Sequence, residues 1–461
     1  MTKARVYQDF VLELRDFNAA DESYTVALVP GQKWGEVKPI PMKLDLNQDI
    51  QGILNKLETK KIWPEQVVTL GKWLADHILP DGLLRQRFVS AVQAAGLDGG
   101  IRLRLVVQDF KLQQLPWEYT YLPLQDEAAS NGHFLVLDPR VSLVRYLPLE
   151  APPPTLAPVD PTHLRLLTVS ASPKLSVLAP LDLEKDYQIF KQVLSGFDVE
   201  GVQIEWLPYV KDATEQAMDS ALQQKPHLFH FSGHGVYRER DESGSLVLLA
   251  DVEKKEPFYL SAANLAKKLQ AAGVRLVFLG ACETGRLHGE TPWTSIAPAL
   301  NLAGIPAVIA MQYELGELKA GPFTRAFYTA LAAGLTLDEA TFAGRLATWK
   351  KEEENVFEWG VPTLYLHSLD GALFPELEQR QTQRAERLRS AIRIHVDQMA
   401  STGIARSLSV DDLVGPLPEM PAGLDININV GTNAGLVEAV HIGKVRPVGT
   451  EDSQEEDGRS T

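Results

Sequence analysis

The sequence predicts an α/β protein with a mostly parallel central sheet flanked by helices, plus an N-terminal strand-rich α+β region. Three observations carry this. From residue 164 onward, apolar runs without polar alternation recur: LRLLTVSA (164–171), VQIEWL (202–207), LFHFSG (228–233), VRLVFLGA (274–281), AVIAMQ (307–312) and VPTLYLH (361–367). Strands apolar on both faces belong in a sheet covered on both sides. Helical patterns separate these runs, the order expected of parallel strands joined by crossovers. The first 150 residues read differently, with alternating strands and only two helical stretches.

Taken in order, FVLELRDF and YTVALVP alternate apolar and polar residues around the polar turn NAADES, which makes 8–30 a hairpin. The second helical stretch, PEQVVTLGKWLADHIL, starts at Pro64, a residue suited to a first helical turn. IRLRLVVQDF, LPWEYTYLP and FLVLDPRVSLVRYLP then read as strands. PLEAPPPTLAPVDP (148–161) holds six prolines and reads as a stiff, extended linker that closes a first region, 1–150.

The α/β region runs over 162–375. SAANLAKKLQAAG starts at an N-cap, Ser261, and stops at Gly273. PFTRAFYTALAAG sets Phe323, Phe327, Ala330 and Leu331 on one face and ends at Gly334. TLDEATFAGRLATW opens with Thr336 and Glu339 at the spacing of a capping box. SLVLLADVEKKEPFYLS (245–261) interrupts the alternation as a β-hairpin inserted after the third strand. Residues 376–423 hold a charged helix and a second linker, PLPEMPAG. Residues 424–448 form a short β-prone segment, and 449–461 an acidic, disordered tail.

Composition narrows the function. The 461 residues carry a formal net charge of −15, which makes nucleic acid or an anionic membrane surface a poor partner. A single cysteine excludes an internal disulfide and a zinc site built on paired cysteines; no metal site is expected. Charges run through the N-terminal apolar stretch, so no signal-peptide core is read there. With no apolar run approaching about 20 residues, a cytoplasmic location is expected.

That cysteine, Cys282, stands at the exit of VRLVFLGA, and His234 stands at the exit of LFHFSG, 48 residues earlier. If the two strands are neighbours, their axes lie about 5 Å apart and both side chains leave the same sheet edge. Cysteine reacts as the thiolate and needs a base, for which histidine has a suitable pKa. The N–H groups of Gly235 and Cys282 are candidate oxyanion donors. The plainer alternative is a small apolar cysteine in a buried strand and a turn histidine, and composition alone favours it. Joint placement at two strand ends, beside glycines, favours the reactive pair. His230 alternates with Phe229 and Phe231 and reads as a core or supporting histidine. A nucleotide site is discounted, because ASPKLSVLAP after the first strand fits no phosphate-binding glycine pattern.

HFSGHG followed by VFLGACETG resembles the CHAT family of caspase-fold peptidases, related to caspases and separases. LRLVVQDFKLQQLPWEYTYLP, FLVLDPRVSLVRYLP, PLDLEKDYQIF, SIAPALNLAGIPAVIAMQ, FTRAFYTALAAGLTLDEA and WGVPTLYLHSLDGALF resemble further CHAT segments in the same order, over about residues 60–375. The resemblance implies a caspase-like fold, with the N-terminal strands part of an extended CHAT region. It also implies a thiol endopeptidase with Cys282 as nucleophile and His234 as base, needing no cofactor. In the family pattern an acidic residue in MQYELGELKAG lines the pocket for the residue before the cut. Glu317 matches it best and Glu314 is nearby, implying cleavage after Arg or Lys; otherwise both are solvated loop carboxylates.

In the tail, Ile426, Ile428 and Val430 alternate with Asn427 and Asn429. Such a segment needs a partner: a hairpin docked on the rest of the chain, or in-register stacking between chains. NVGTNAGLVEAVHIG resembles bacterial amyloid-signalling motifs that share a core with RHIM motifs, with His441 and Glu438 as departures. The resemblances together imply an effector of bacterial cell death or antiphage defence. Its substrate is expected to be a partner protein, pore-forming among the options, and its regulator a protein sharing the tail motif. The alternative is a CHAT-fold scaffold whose dyad is unused.

Overall fold

The computed structural model describes residues 5–96, 99–124, 133–149, 159–160, 163–175, 183, 187–188, 191, 198–199, 202–238, 243–280, 293–313, 317–333, 335–349, 357–367, 373–374, 432–433 and 436–437. Ala4–Glu378 form one compact unit, and Met1–Lys3 with Gln379–Thr461 another.

The first unit begins with β1 (Val6–Asn18), β2 (Ser23–Leu28) and β3 (Ile40–Lys43), followed by α1 (Gln48–Glu58), α2 (Pro64–Ile78) and α3 (Leu83–Ala95). β1 and β2 are the antiparallel hairpin that alternation predicts, with Leu14 opposite Val26 and both buried. Three helices stand where two were expected. Next come β4 (Gly99–Val107), the short α4 (Phe110–Gln113) and β5 (Val141–Tyr146), with β4 parallel to both β1 and β5.

Two expected strands take another form. LPWEYTYLP contains a 3-10 turn, Trp117–Tyr119, and FLVLD contains another, Leu135–Leu137. A single antiparallel bridge, Tyr121 to Phe134, joins the two segments. In the first, the Arg145 side chain takes up the carbonyl of Leu115, which a strand would have spent on a ladder, along with that of Gln113 at the end of α4.

The α/β region supplies β6 (His163–Ala171), β7 (Asp198–Val199), β8 (Val202–Trp206), α5 (Glu215–Leu222), β9 (Leu228–Gly233), β10 (Gly235–Arg238), β11 (Ser243–Asp251), β12 (Glu256–Ser261), α6 (Ala262–Ala272), β13 (Leu276–Gly280), α7 (Trp293–Leu302), β14 (Ala307–Met311), α8 (Glu317–Ala332), α9 (Leu337–Thr348) and β15 (Pro362–Leu366). Two of its helix signals hold, while α8 starts at Glu317, before Pro322, and its expected stop, Gly334, lies outside the described residues. The Ser261 hydroxyl caps α6, which ends at Gly273 with φ +82°. Thr336 and Glu339 form the capping box of α9. The hairpin expected at 245–261 is β11–β12, extended by β10 into a separate three-stranded sheet.

Twelve described strands form one sheet in the order β3-β2-β1-β4-β5-β15-β14-β13-β9-β6-β8-β7. The pairs from β14 through β13, β9 and β6 to β8 are parallel; β15 runs antiparallel to β14 and parallel to β5. The fold is therefore mixed α/β with a large, mostly parallel central sheet flanked by helices. The unbroken apolar runs are explained by cover on both faces. Leu228, Leu276, Phe278 and Ile309 join one core with Phe323 and Phe327 of α8. Phe229, Phe231, Val277, Leu279 and Val308 join the other with Leu265 and Leu269 of α6 and Ile296 of α7. Side chains alternate faces along a strand, and here each face meets helices.

Among the described residues no helix is long and apolar enough to cross a membrane. In the second unit, β16 (Thr432–Asn433) and β17 (Leu436–Val437) form an antiparallel pair. The charged helix expected after 375, and the rest of 424–448, lie outside the described residues.

Candidate active site

Three parallel strands stand side by side in the centre of the sheet: β9, β13 and β14. Their carboxyl ends share one edge. β9 and β13 are paired in register, with Leu276 beside Leu228 and Gly280 beside Ser232. His234 follows Ser232 by two residues, and Cys282 follows Gly280 by two. The strands expected to be neighbours are neighbours, about 4.8 Å apart by the usual strand spacing.

His234 is 1 % exposed and lies between the end of β9 and the start of β10. Its carbonyl accepts from the Val247 N–H at 3.0 Å, which fixes the turn to β11. The next residue, Gly235, lies opposite Leu246. Bonded and non-bonded pairs alternate along an antiparallel ladder, so the Gly235 N–H points away from β11. Gly233 permits close approach just before the histidine. A Cβ there would lie 2.7 Å from the Ala171 carbonyl oxygen and 2.7 Å from the Phe231 ring.

His230 is the core histidine of the strand. Its ring stacks on Phe278 with centroids 4.5 Å apart, and Nδ1 lies 3.4 Å from the Tyr328 hydroxyl. Burial pushes its pKa down to about 3, so the ring is neutral at pH 7.

Of the other expected site residues, Cys282 and Glu314 lie outside the described residues. Glu317 is the first residue of α8. The structure thus brings together the strand ends that lead to His234, Cys282 and the Glu314–Glu317 segment, as the exits of β9, β13 and β14. Among the described residues, no three His, Cys, Asp or Glu side chains are grouped to hold a metal ion.

Sequence reasoning missed the polar cluster at the exit of β14. Gln312, 3 % exposed, donates from its backbone N–H to the Val361 carbonyl and from Nε2 to the Gln114 carbonyl, both at 2.9 Å. Arg145 pairs with Glu118 through Nε at 3.0 Å and Nη2 at 2.7 Å. Burial opposes the charge on Arg145, yet Glu118 holds its pKa above the ordinary value. Arg345 donates to the carbonyls of Trp359 and Pro362, and burial pushes its pKa down to about 10. The only sequence signal was a glutamine closing the apolar run AVIAM.

The CHAT domain family model matches residues 68–388, from α2 across the proline-rich linker and through β15. No curated protein matches the chain. Among solved structures, the Arg-specific cysteine proteinase gingipain R is similar at 14% identity and a TM-score of 0.38, covering 67% of this chain and 74% of that one. A complex of the pro- and mature domains of RgpB from Porphyromonas gingivalis gives 14% identity and 0.37, covering 67% and 77%. The Saccharomyces cerevisiae separase–securin complex gives 14% identity and 0.33, covering 62% of this chain and only 16% of that one.

Proposed function

The chain belongs to the CHAT domain family, and from that premise we propose that it is a cysteine endopeptidase working through a Cys282–His234 dyad. The observation that supports this most is the parallel register of β9 and β13, with Gly280 beside Ser232. Two adjacent parallel strands in register to Ser232 and Gly280, with a histidine and a cysteine two residues beyond, are a geometry in which a thiol and an imidazole can meet at one peptide bond.

In this reading His234 takes the thiol proton of Cys282, and the sulfur attacks the carbonyl carbon of the scissile bond. Negative charge collects on the carbonyl oxygen, where the N–H groups of Gly235 and Cys282 stabilise it. The outward direction of the Gly235 N–H supports that role. Collapse expels the amine, which takes its proton from His234, and water then hydrolyses the thioester with His234 again as base. Glu317, with Glu314 close in the chain, selects Arg or Lys before the cut through a charge-assisted pair. The family resemblance further supports a cytoplasmic effector of cell death or antiphage defence. In that role it cleaves a partner protein, a pore-forming one among the candidates, under a regulator that shares the C-terminal motif.

Cys282→Ala tests the reading. It is expected to abolish cleavage of an Arg or Lys peptide reporter, a loss of about 10⁴-fold or more, while leaving the thermal midpoint nearly unchanged. Equal cleavage by wild type and Cys282→Ala would sink the dyad. A wild type that neither cleaves nor reacts with a thiol-directed peptide probe would instead favour the scaffold.

A further inference from the structure

We infer that the β5–β15 junction is a hinge built into the sheet, latched by the turn Trp117–Tyr119, about which the two halves of the sheet part without unfolding. It is a conformational device, independent of the peptidase chemistry.

The strand ladder is thinnest at this junction. β4 and β5 pair from Ile101–Val141 to Val106–Tyr146, and β14 and β15 from Ala307–Leu366 to Met311–Pro362. Between these runs, β5 meets β15 at one described position, Arg145 beside Tyr365. The chain on either side is held from within its own half. Arg145 takes the Leu115 carbonyl and the Glu118 carboxylate on the β5 side. Arg345 takes the carbonyls of Trp359 and Pro362 on the β15 side. Each half therefore carries its own face of the junction preformed.

Side chains make the crossing that the ladder does not. Tyr119, buried, donates from its hydroxyl to the Phe357 carbonyl at 2.7 Å, and its ring lies against Trp359 with centroids 5.1 Å apart. The turn Glu358–Gly360 closes on that ring, since a Cβ on Gly360 would lie 2.4 Å from it. On the other side, a Cβ on Gly71 of α2 would lie 2.5 Å from the Tyr119 carbonyl oxygen, and the Tyr121 N–H donates to the Gly71 carbonyl at 2.9 Å. Trp117–Tyr119 is thus wedged between α2 and the segment that enters β15. Gln312 adds a further crossing bond, from Nε2 to the Gln114 carbonyl at 2.9 Å.

α9 keeps the halves from separating. Its first turn is tied to the N-terminal half, Asp338 to Arg102 at 2.9 Å and Glu339 to the Arg5 N–H at 2.9 Å. Arg345, two turns on, is tied to the segment that enters β15. A helix pinned on both sides of a thin ladder is the axis of a hinge. Loss of the Tyr119–Phe357 bond therefore frees β5 from β15 while each half keeps its own ladder.

The test is native-state hydrogen exchange against urea on the full chain, as wild type, Tyr119→Phe and Gly360→Ala. Phenylalanine keeps the ring and removes only the crossing hydroxyl; alanine sets a methyl against the ring. In the wild type, the β5 and β15 amides that face the junction are expected to show less than about half the urea dependence of those in β4 and β13, because a hinge opening exposes less surface than unfolding. Tyr119→Phe is expected to speed exchange at the junction about tenfold with that low urea dependence retained. Gly360→Ala is expected to speed it at least as much. Equal urea dependence in all four strands would show that the sheet opens only as one unit and would overturn the hinge. Unchanged junction exchange in Tyr119→Phe would overturn the latch, even where Gly360→Ala fails to fold.

Discussion

β9 and β13, the strands that lead to the candidate dyad, bury Leu228, Phe229, Phe231 and Leu276–Leu279, with His230 as the polar exception. β4 and β5, in the other half of the same sheet, bury three arginines: Arg102, Arg104 and Arg145. Arg102 donates to both carboxylate oxygens of Asp338 in α9, at 2.9 and 2.5 Å, and to Asp9 of β1 at 3.2 Å. Arg104 reaches the other oxygen of Asp9 at 2.9 Å. Burial alone would lower the pKa of Arg102, but Asp338 and Asp9 hold it above its ordinary value. The candidate catalytic half is aligned by apolar register and the N-terminal half by specific charge pairs. Apolar contact is non-directional, so it stacks strands without choosing among them. A buried ion pair tolerates only its own partner, and Arg102 and Asp338 lie 236 positions apart.

The difference can be broken most severely at Asp338. Asp338→Ala leaves Arg102 buried and partly uncompensated, with an expected loss of about 3–5 kcal/mol in chemical denaturation. Replacing both partners, Arg102→Met with Asp338→Leu, is expected to recover most of it. If the single variant costs less than about 1 kcal/mol, the charge pairs do not hold this half together.

On the apolar side, Gly233→Ala should cost about 1–3 kcal/mol, since the added methyl meets the Ala171 carbonyl and the Phe231 ring. It should also lower peptidase activity by displacing His234. Wild-type stability together with wild-type activity would show that β6 and β9 are looser than their register implies.

His230→Phe gives the smallest change at neutral pH. Burial holds the native ring's pKa down to about 3, against an ordinary histidine value of 6.5 in the unfolded chain. Between those values the unfolded chain holds a proton that the folded chain does not. Stability therefore falls as pH drops through this window, by about 1.4 kcal/mol per pH unit from this group, and the phenylalanine variant should lose that slope. His77 and His367 are also lowered by burial and leave a residual slope. An unchanged pH profile would mean that the native His230 ring takes up its proton at the same pH as in the unfolded chain.

Where local rules decide, the sequence was readable. Ser261, Thr336 and Glu339 mark helix ends through side chains acting within one turn, Pro64 through its fixed φ and Gly273 through its left-handed backbone. Unbroken apolar runs revealed two covered faces. The reading erred where a side chain from elsewhere replaced the ladder: Glu118 looked like one position of an alternating strand, but Arg145 draws its segment into a turn. It was silent on Arg102 and Arg104, whose alternation in IRLRL looks like a solvent-facing row yet is buried beneath Asp9 and Asp338.

The candidate site divides in the same way. His234 and Cys282 could be named from the sequence because glycines and strand ends mark them locally. Their relation could not, since it depends on β9 and β13 being neighbours in parallel register. Gln312 carried no local mark at all, because its role depends on a carbonyl 198 positions away. The sequence by itself determined the strands of the α/β region, the helix caps and the candidate reactive residues, all products of short-range stereochemistry and periodicity. Only the tertiary structure decided that β5 meets β15 and that both halves form one sheet, because that pairing is selected by buried side chains far apart in the chain.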